Sequence, residues 1–239
     1  MSVLTTTARW LSDSANWTGT EGIAHRLIEH VVLTLVAVGL ASVIALPLAL
    51  WLGHIGRGSA VAINISNIGR AVPTFAVLVL LAVGPLGIGN TATIVSLVLF
   101  AIPPLLVNAY VGVREVERDV VEAARGMGLS GMQILRDIEL PLAAPLIVTG
   151  LRIATVQVVA TATIAALIGG GGLGRLVVDG FAQHDQGKLV GGALLVAVLA
   201  LVFEAVLALL QRRVNPLRTG TRAGGRALPL GPAAPVTTS

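Results

Sequence analysis

No cysteine occurs in the 239 residues, and Lys188 is the sole lysine. Without thiols there is no disulfide framework and no thiolate metal site. The four histidines, His25, His30, His54 and His184, are scattered through flanks and loops, so no His/Asp/Glu cluster stands at catalytic or metal-ligating spacing. Aromatic residues make up 3% of the chain and charged residues 12%, about half the charge of an average soluble domain. A chain so poor in charge is not solvated like a soluble protein. A phosphate loop of the form G-x-x-x-x-G-K-[ST] is missing too, so ATP is not expected to bind here.

What is abundant is long uncharged runs. Residues 31–53, 71–113 and 153–174 carry no charge. About 20 apolar residues cross the hydrocarbon layer as a helix. These runs lack the alternation of barrel strands. The expected fold is all-α: a polytopic membrane protein with five spans at about 28–52, 60–83, 91–113, 146–168 and 189–210. Residues 1–25 hold Trp10 and Trp17 and read either as a segment near the membrane surface or as a loose terminus, not as a cleavable signal. Residues 214–239, rich in Gly, Pro, Thr and Arg, read as a disordered tail.

Ten arginines fall on the side of the first turn, the 114–141 loop and the tail; the other side holds Arg9, Arg26, Arg175 and Lys188. The positive-inside rule then puts the N-terminus outside and the C-terminus inside. The net charge of +4 follows from topology rather than from nucleic-acid binding.

Within the spans, four polar residues are candidates for lining a path: Arg70, Asn108, Gln157 and Thr161. Each has a plainer alternative. Arg70, three residues before Pro73, can answer a carbonyl freed at the kink or snorkel. Asn108 can serve interhelical packing, and threonines often bond their own helix. Glu204 is an isolated carboxylate expected to snorkel or pair. Gly187 and Gly191 form a small-xxx-small pair suited to close helix contact. Residues 169–174 satisfy G-x-G-x-x-G inside an uncharged run. Without a strand–helix context this is no dinucleotide fingerprint, and it reads as a flexible re-entrant or surface turn on the far side.

The exception to all this grease is 114–141, with four arginines and six acids. It cannot lie in lipid. It reads as two short helices joined by a glycine elbow at Gly126 and Gly128. Ser130 and Gln133 have capping-box spacing at the start of the second helix, and Pro141 is expected to end or turn it.

Glu122-Ala123-Ala124, then Gly128, then Ile138 and Leu140-Pro141, resembles the EAA signature of permease subunits in bacterial ABC importers. Residues 25–213 resemble the permeases of osmoprotectant importers for glycine betaine, carnitine, choline or proline betaine. The stretches EAARGMG and TATIAALIGGGGLG and the closing Glu204…Gln211-Arg212-Arg213 carry that likeness. Arg70-Ala71-Val72-Pro73 is also similar to methionine-importer permeases, which leaves methionine or another amino acid as an alternative cargo. An ion-coupled carrier using Arg70 and Glu204 is the alternative from another class.

The resemblance implies a type I ABC importer permease in the bacterial inner membrane, not an enzyme. It would pair with a second copy or a similar permease, two cytoplasmic ATP-binding subunits that hold ATP and Mg, and an extracytoplasmic solute-binding protein. Glu122, Ala123, Ala124, Gly128, Ile138, Leu140 and Pro141 would couple it to the ATPase. With few and scattered aromatics, no cage for a quaternary ammonium is visible.

Overall fold

The computed structural model describes residues 2–214, except the side chains of several residues between 61 and 70 and of Val214. The tail expected to be disordered and the side chain of Arg70 lie outside the described residues. The described chain is helical: α1 (Val3–Ser12), α2 (Ile23–His54), α3 (Ser59–Ala71), α4 (Thr74–Val83), α5 (Asn90–Arg114), α6 (Arg118–Gly126), α7 (Gly131–Ile134), α8 (Leu140–Ala165), α9 (Gly174–Ala182) and α10 (Gln186–Val214).

Among the described residues, four helical stretches are long and apolar enough to cross a membrane: Ile23–His54, Asn90–Arg114, Gly131–Ile168 and Gln186–Arg213. The expected span at 60–83 is instead two helices, α3 and α4. Pro73 lacks the N–H that would continue the ladder, and its ring pushes Val72 away from helical geometry. Pro73 becomes the N-cap of α4. By contrast Pro47, Pro103, Pro104 and Pro145 are absorbed inside helices.

Helix α5 packs between α2 and α8. The contact layer is made of small residues, among them Ala37, Ala41, Ala45, Ala101, Ala109 and Ala154, all fully buried, with Leu97, Leu105 and Val158 filling between them. Glycines set the closest approaches. A Cβ on Gly150 would sit 2.8 Å from the Asn108 Cβ, and one on Gly53 2.8 Å from the Val113 Cβ. Helices held mainly by dispersion need such proximity, since lipid supplies no hydrophobic drive between them.

The N-terminal segment is ordered. Ser2 caps α1, which lies along α10. Here the Gly187–Gly191 pair finds its partner: a Cβ on Gly191 would meet the Trp10 ring at 2.6 Å, and one on Gly187 the Trp10 Cβ at 3.1 Å. The notch receives an aromatic side chain of a short flanking helix rather than another long apolar helix.

Most of the 169–174 glycines are not at the surface: Gly170, Gly171, Gly172 and Gly174 are buried, and Gly169 is exposed. Adjacent residues of α2 clasp the turn. Glu29 accepts the Gly172 N–H at 2.7 Å, and His30 Nδ1 accepts the Leu173 N–H at 3.2 Å. An N–H can only donate, so Nδ1 is unprotonated. The His30 Nε2–H donates to the Val159 carbonyl at 3.2 Å. Gly171 is needed because a Cβ there would run into the Glu29 carboxylate. His30 is fully buried, so the sequence reading of a bland flanking histidine is corrected. His30→Leu orphans the Leu173 N–H, while Val159 keeps the Thr163 hydroxyl at 3.2 Å. The expected loss is about 1–3 kcal/mol, read as a lower denaturation midpoint of the purified protein. His30→Asn, with an acceptor near the Nδ1 position, recovers most of it.

Candidate functional site: the charged elbow and the cleft between helices

The elbow between α6 and α7 is closed by local backbone bonds. The Met127 N–H reaches the Ala123 carbonyl at 3.0 Å, that of Gly128 reaches Arg125 at 2.9 Å, and that of Leu129 reaches Ala124 at 3.2 Å. The last two form a Schellman motif, with Gly128 at φ +85° in the left-handed position. No atom lies within 4 Å of where a Gly128 Cβ would point. Glycine is therefore required here by conformation, not by crowding. The capping box at Ser130 and Gln133 forms as its spacing predicts, with the Ser130 N–H donating to the Gln133 side chain at 2.8 Å.

The second short helix does not end at Pro141. A π turn at Leu135–Glu139 follows α7 and leads straight into α8, giving one helical rod from Gly131 to Ile168. Pro141 cannot donate to the carbonyl four residues back. The wider turn re-registers the ladder just before it, with the Leu140 N–H bonding the Leu135 carbonyl. Pro141 then occupies the start of α8, where a missing N–H costs little.

The signature residues divide by exposure. Glu122, Ala123 and Gly128 are exposed, as are Leu140 and Pro141, whereas Ala124 is buried and Ile138 half-buried. Ala124 thus turns inward and seats the elbow instead of offering a surface for close approach. Two residues the sequence reading passed over stand out at the tip, Met127 at 74% exposure and Met132 at 71%. The chain has three methionines, and both internal ones flank this elbow. That is a compositional signal, since methionine suits adaptable contact surfaces.

Behind the elbow lies a polar hollow of about 320 Å³. Arg118, Val121, Glu122 and Arg125 face it from one side of α6, at helical spacing. Arg114 closes it from the end of α5. At its floor the His54 Nδ1–H donates to the Glu139 carboxylate at 2.6 Å. Glu139 is buried and is the last residue of the π turn, so this bond ties the end of α2 to the base of the α7–α8 rod. His54 read as an unremarkable loop histidine in the sequence; its partner is 85 residues away.

Of the polar candidates within the helices, the structure brings Asn108 and Gln157 together. Both line a narrow cleft of about 150 Å³ beside Gly69, Pro103 and Pro104. Pro104 leaves the Phe100 carbonyl without its helical donor, and Gln157 Nε2 reaches it from α8 at 3.4 Å. Asn108 Nδ2 donates to the Pro104 carbonyl at 2.8 Å. Thr161 is buried and lines neither this cleft nor the groove beside it. Gln157 and Ile153 also border that second, larger groove, which lies between α8 and α10. There Glu204 pairs with Arg152, which also bonds Gln211. No group of three or more His, Asp or Glu placed to hold a metal occurs among the described residues.

The profile of the family described as binding-protein-dependent transport system inner membrane component matches residues 41–216. The choline transport system permease protein OpuBB of Bacillus subtilis (strain 168) is 36% identical over 194 residues, covering 81% of this chain and 89% of that one. The osmoprotectant import permease protein OsmY of Salmonella typhimurium (strain LT2) is 36% identical over 190 residues, covering 79% and 80%. Among solved structures, a chain of the MetNI methionine ABC transporter in an inward-facing conformation superposes with a TM-score of 0.68. It is 26% identical and covers 78% of this chain and 93% of that one.

Proposed function

From the premise that this chain belongs to the family of binding-protein-dependent transport system inner membrane components, we propose that it is the permease subunit of an ATP-driven importer of osmoprotectants such as glycine betaine, choline or carnitine. The observation that carries this reading is the exposed, Schellman-closed elbow bearing the Glu122-Ala123-Ala124…Gly128 signature. Its support for the cargo is the likeness to permeases named for choline and osmoprotectant transport.

In this reading the elbow faces the cytoplasm and the N-terminus the outside, as the arginine distribution favours. Glu122, Ala123 and Gly128 meet a separate ATP-binding subunit that holds ATP and Mg, with Met127 and Met132 beside them. Ala124, Ile138, Leu140 and Pro141 shape the elbow and its base. ATP-driven closure of two such subunits moves the α7–α8 rods of two permeases, this chain with a second copy or with a similar one. An extracytoplasmic binding protein delivers the solute to a path on which Asn108 and Gln157 lie. Arg70 is a further candidate for that path, whereas the buried Thr161 is not.

Copurification with the ATP-binding subunit and the binding protein, followed by ATPase assays across a solute panel, tests the reading. Glycine betaine, choline or carnitine is expected to stimulate hydrolysis. Stimulation by methionine and not by these solutes would move the assignment to an amino acid importer.

A further inference from the structure

We propose that the cleft walled by Asn108 and Gln157 is a midway site for the quaternary ammonium end of the solute, held by uncharged oxygens and not by a counter-ion. The proposal rests on the osmoprotectant reading above and names the end of the cargo that this chain engages.

Helices α3, α5 and α8 each form part of the wall, and no charged side chain among the described residues lines it. Pro104 stands ten residues before Arg114, the only charged residue of α5. That places it about 15 Å from the charged end, half of a hydrocarbon layer about 30 Å thick. The helix break beside the cleft shows which side of the molecule this is. Helix α3 ends at Ala71 and α4 begins at Thr74, with Val72 and Pro73 exposed between them. The break lies about 18 Å from the start of α3 and about 14 Å from the end of α4, within the layer. Irregular backbone at such depth is tolerated only against protein or in a wet cavity. This break therefore faces a watery path or a second permease, and not lipid. Gly69, in the last turn of α3, continues that side into the cleft, and a Cβ there would sit 2.8 Å from the Pro103 Cγ.

The polar character of the cleft follows from proline. Gln157 turns its amide nitrogen to the carbonyl that Pro104 frees, and Asn108 turns its own to the Pro104 carbonyl. An amide that spends its nitrogen on a carbonyl presents its oxygen on the other side. Neither the Asn108 Oδ1 nor the Gln157 Oε1 accepts a hydrogen bond from a described residue, and neither is a buried orphan. Both oxygens thus open onto free space. The last turn of α3 adds the partial negative charge of a helix C-terminus. Oxygen dipoles of this kind coordinate cations inside membrane proteins. A quaternary ammonium has no N–H to donate, and its methyl groups pack against Pro103, Pro104 and Val107 while the oxygens oppose its charge. About 150 Å³ holds about five water-sized groups at about 30 Å³ each, the heavy-atom count of a trimethylammonium group with its methylene. A carboxylate finds no counter-charge in this wall. The carboxylate of glycine betaine or carnitine and the hydroxyl of choline therefore point out of the cleft, and the site accepts the class without ranking its members.

The chain has no cysteine, so Val107→Cys places a single reporter in the cleft. The complex with the ATP-binding subunit is treated with methanethiosulfonates bearing either a trimethylammonium or a sulfonate group. Labelling is read from the mass of this chain, each rate normalised to that of a small thiol in solution. The trimethylammonium reagent is expected to react faster by about tenfold or more, and choline and glycine betaine to slow it alike. Equal normalised rates, a faster sulfonate, or no protection by either solute overturns the proposal. So does failure of both reagents to label Val107→Cys and Ile153→Cys. Gln157 separates a site from a mere tie between α5 and α8. Gln157→Lys keeps a donor for the Phe100 carbonyl but brings a cation into the cleft, whereas Gln157→Glu loses the donor and brings an anion. In proteoliposomes with the ATPase and the binding protein, Gln157→Lys is expected to lower kcat/KM for uptake of both solutes about tenfold or more, and Gln157→Glu far less. Equal or reversed losses overturn the proposal. If the cationic reagent is preferred but the wild-type complex takes up methionine and neither quaternary solute, the osmoprotectant reading falls instead.

Discussion

Gly128→Val is expected to abolish solute uptake while the protein stays in the membrane at its normal level. Gly128 holds φ +85° with open space where a side chain would go, so the cost is conformational. A side-chain-bearing residue in the left-handed region costs about 1–2 kcal/mol, and a β-branched one is an outlier there. Strain of about 2 kcal/mol shifts a local equilibrium roughly 30-fold. The Gly128 and Leu129 N–H bonds that close α6 exist only in that geometry, so relaxing φ opens the turn and re-aims Glu122, Ala123 and Met127. Gly128→Asn provides the control, since asparagine tolerates the left-handed region and keeps much of the activity. Radiolabelled glycine betaine uptake, set against the amount of protein in the membrane fraction, measures the effect. Normal uptake by the valine variant would remove the elbow from the coupling path.

His54→Ala is expected to have the second large effect. It leaves the buried Glu139 carboxylate without its donor, a loss of about 3 kcal/mol. The bond joins α2 to the π turn, so the loss falls on the joint between the elbow and the long helices. ATP hydrolysis by the assembled complex should lose its response to loaded binding protein, and the midpoint of thermal denaturation should drop. Glu139→Gln still accepts the Nδ1–H bond and is expected to retain most function. A His54→Ala complex with an unchanged number of ATP molecules used per solute would make the bond merely structural.

These two positions also mark what the sequence makes legible. The elbow is written locally: Glu122, Gly128, Ser130 and Gln133 lie within a dozen residues, and each spacing has a short-range cause in capping or in the left-handed turn. Four long apolar stretches follow from hydropathy alone. The His54–Glu139 and His30–Leu173 bonds span 85 and 143 residues and leave no periodic trace. A lone histidine beside a turn looks the same whether it is solvated or clasping a distant backbone.

Proline was the ambiguous letter. Pro73 splits a run read as one span, whereas Pro141, expected to end or turn its helix, is carried inside a continuous helical rod. The difference lies in what neighbours supply: the π turn re-registers the ladder ahead of Pro141. The groove pair was half legible, because Glu204 was expected to pair but its partner on another helix could not be named from spacing.

The unbroken rod from Gly131 to Ile168 has a mechanical consequence. Its base is tethered at Glu139, with eight residues on the elbow side and 29 on the other. At about 1.5 Å per residue these are arms of about 12 Å and 44 Å. A rigid lever with its fulcrum at Glu139 would multiply displacement about three- to fourfold, so a push of about 1 Å at the capping box would become about 3.5 Å where α8 meets the glycine turn. Glu29 and His30 grip the chain at that far end. A small stroke at the elbow therefore arrives, enlarged, at the opposite end of the molecule.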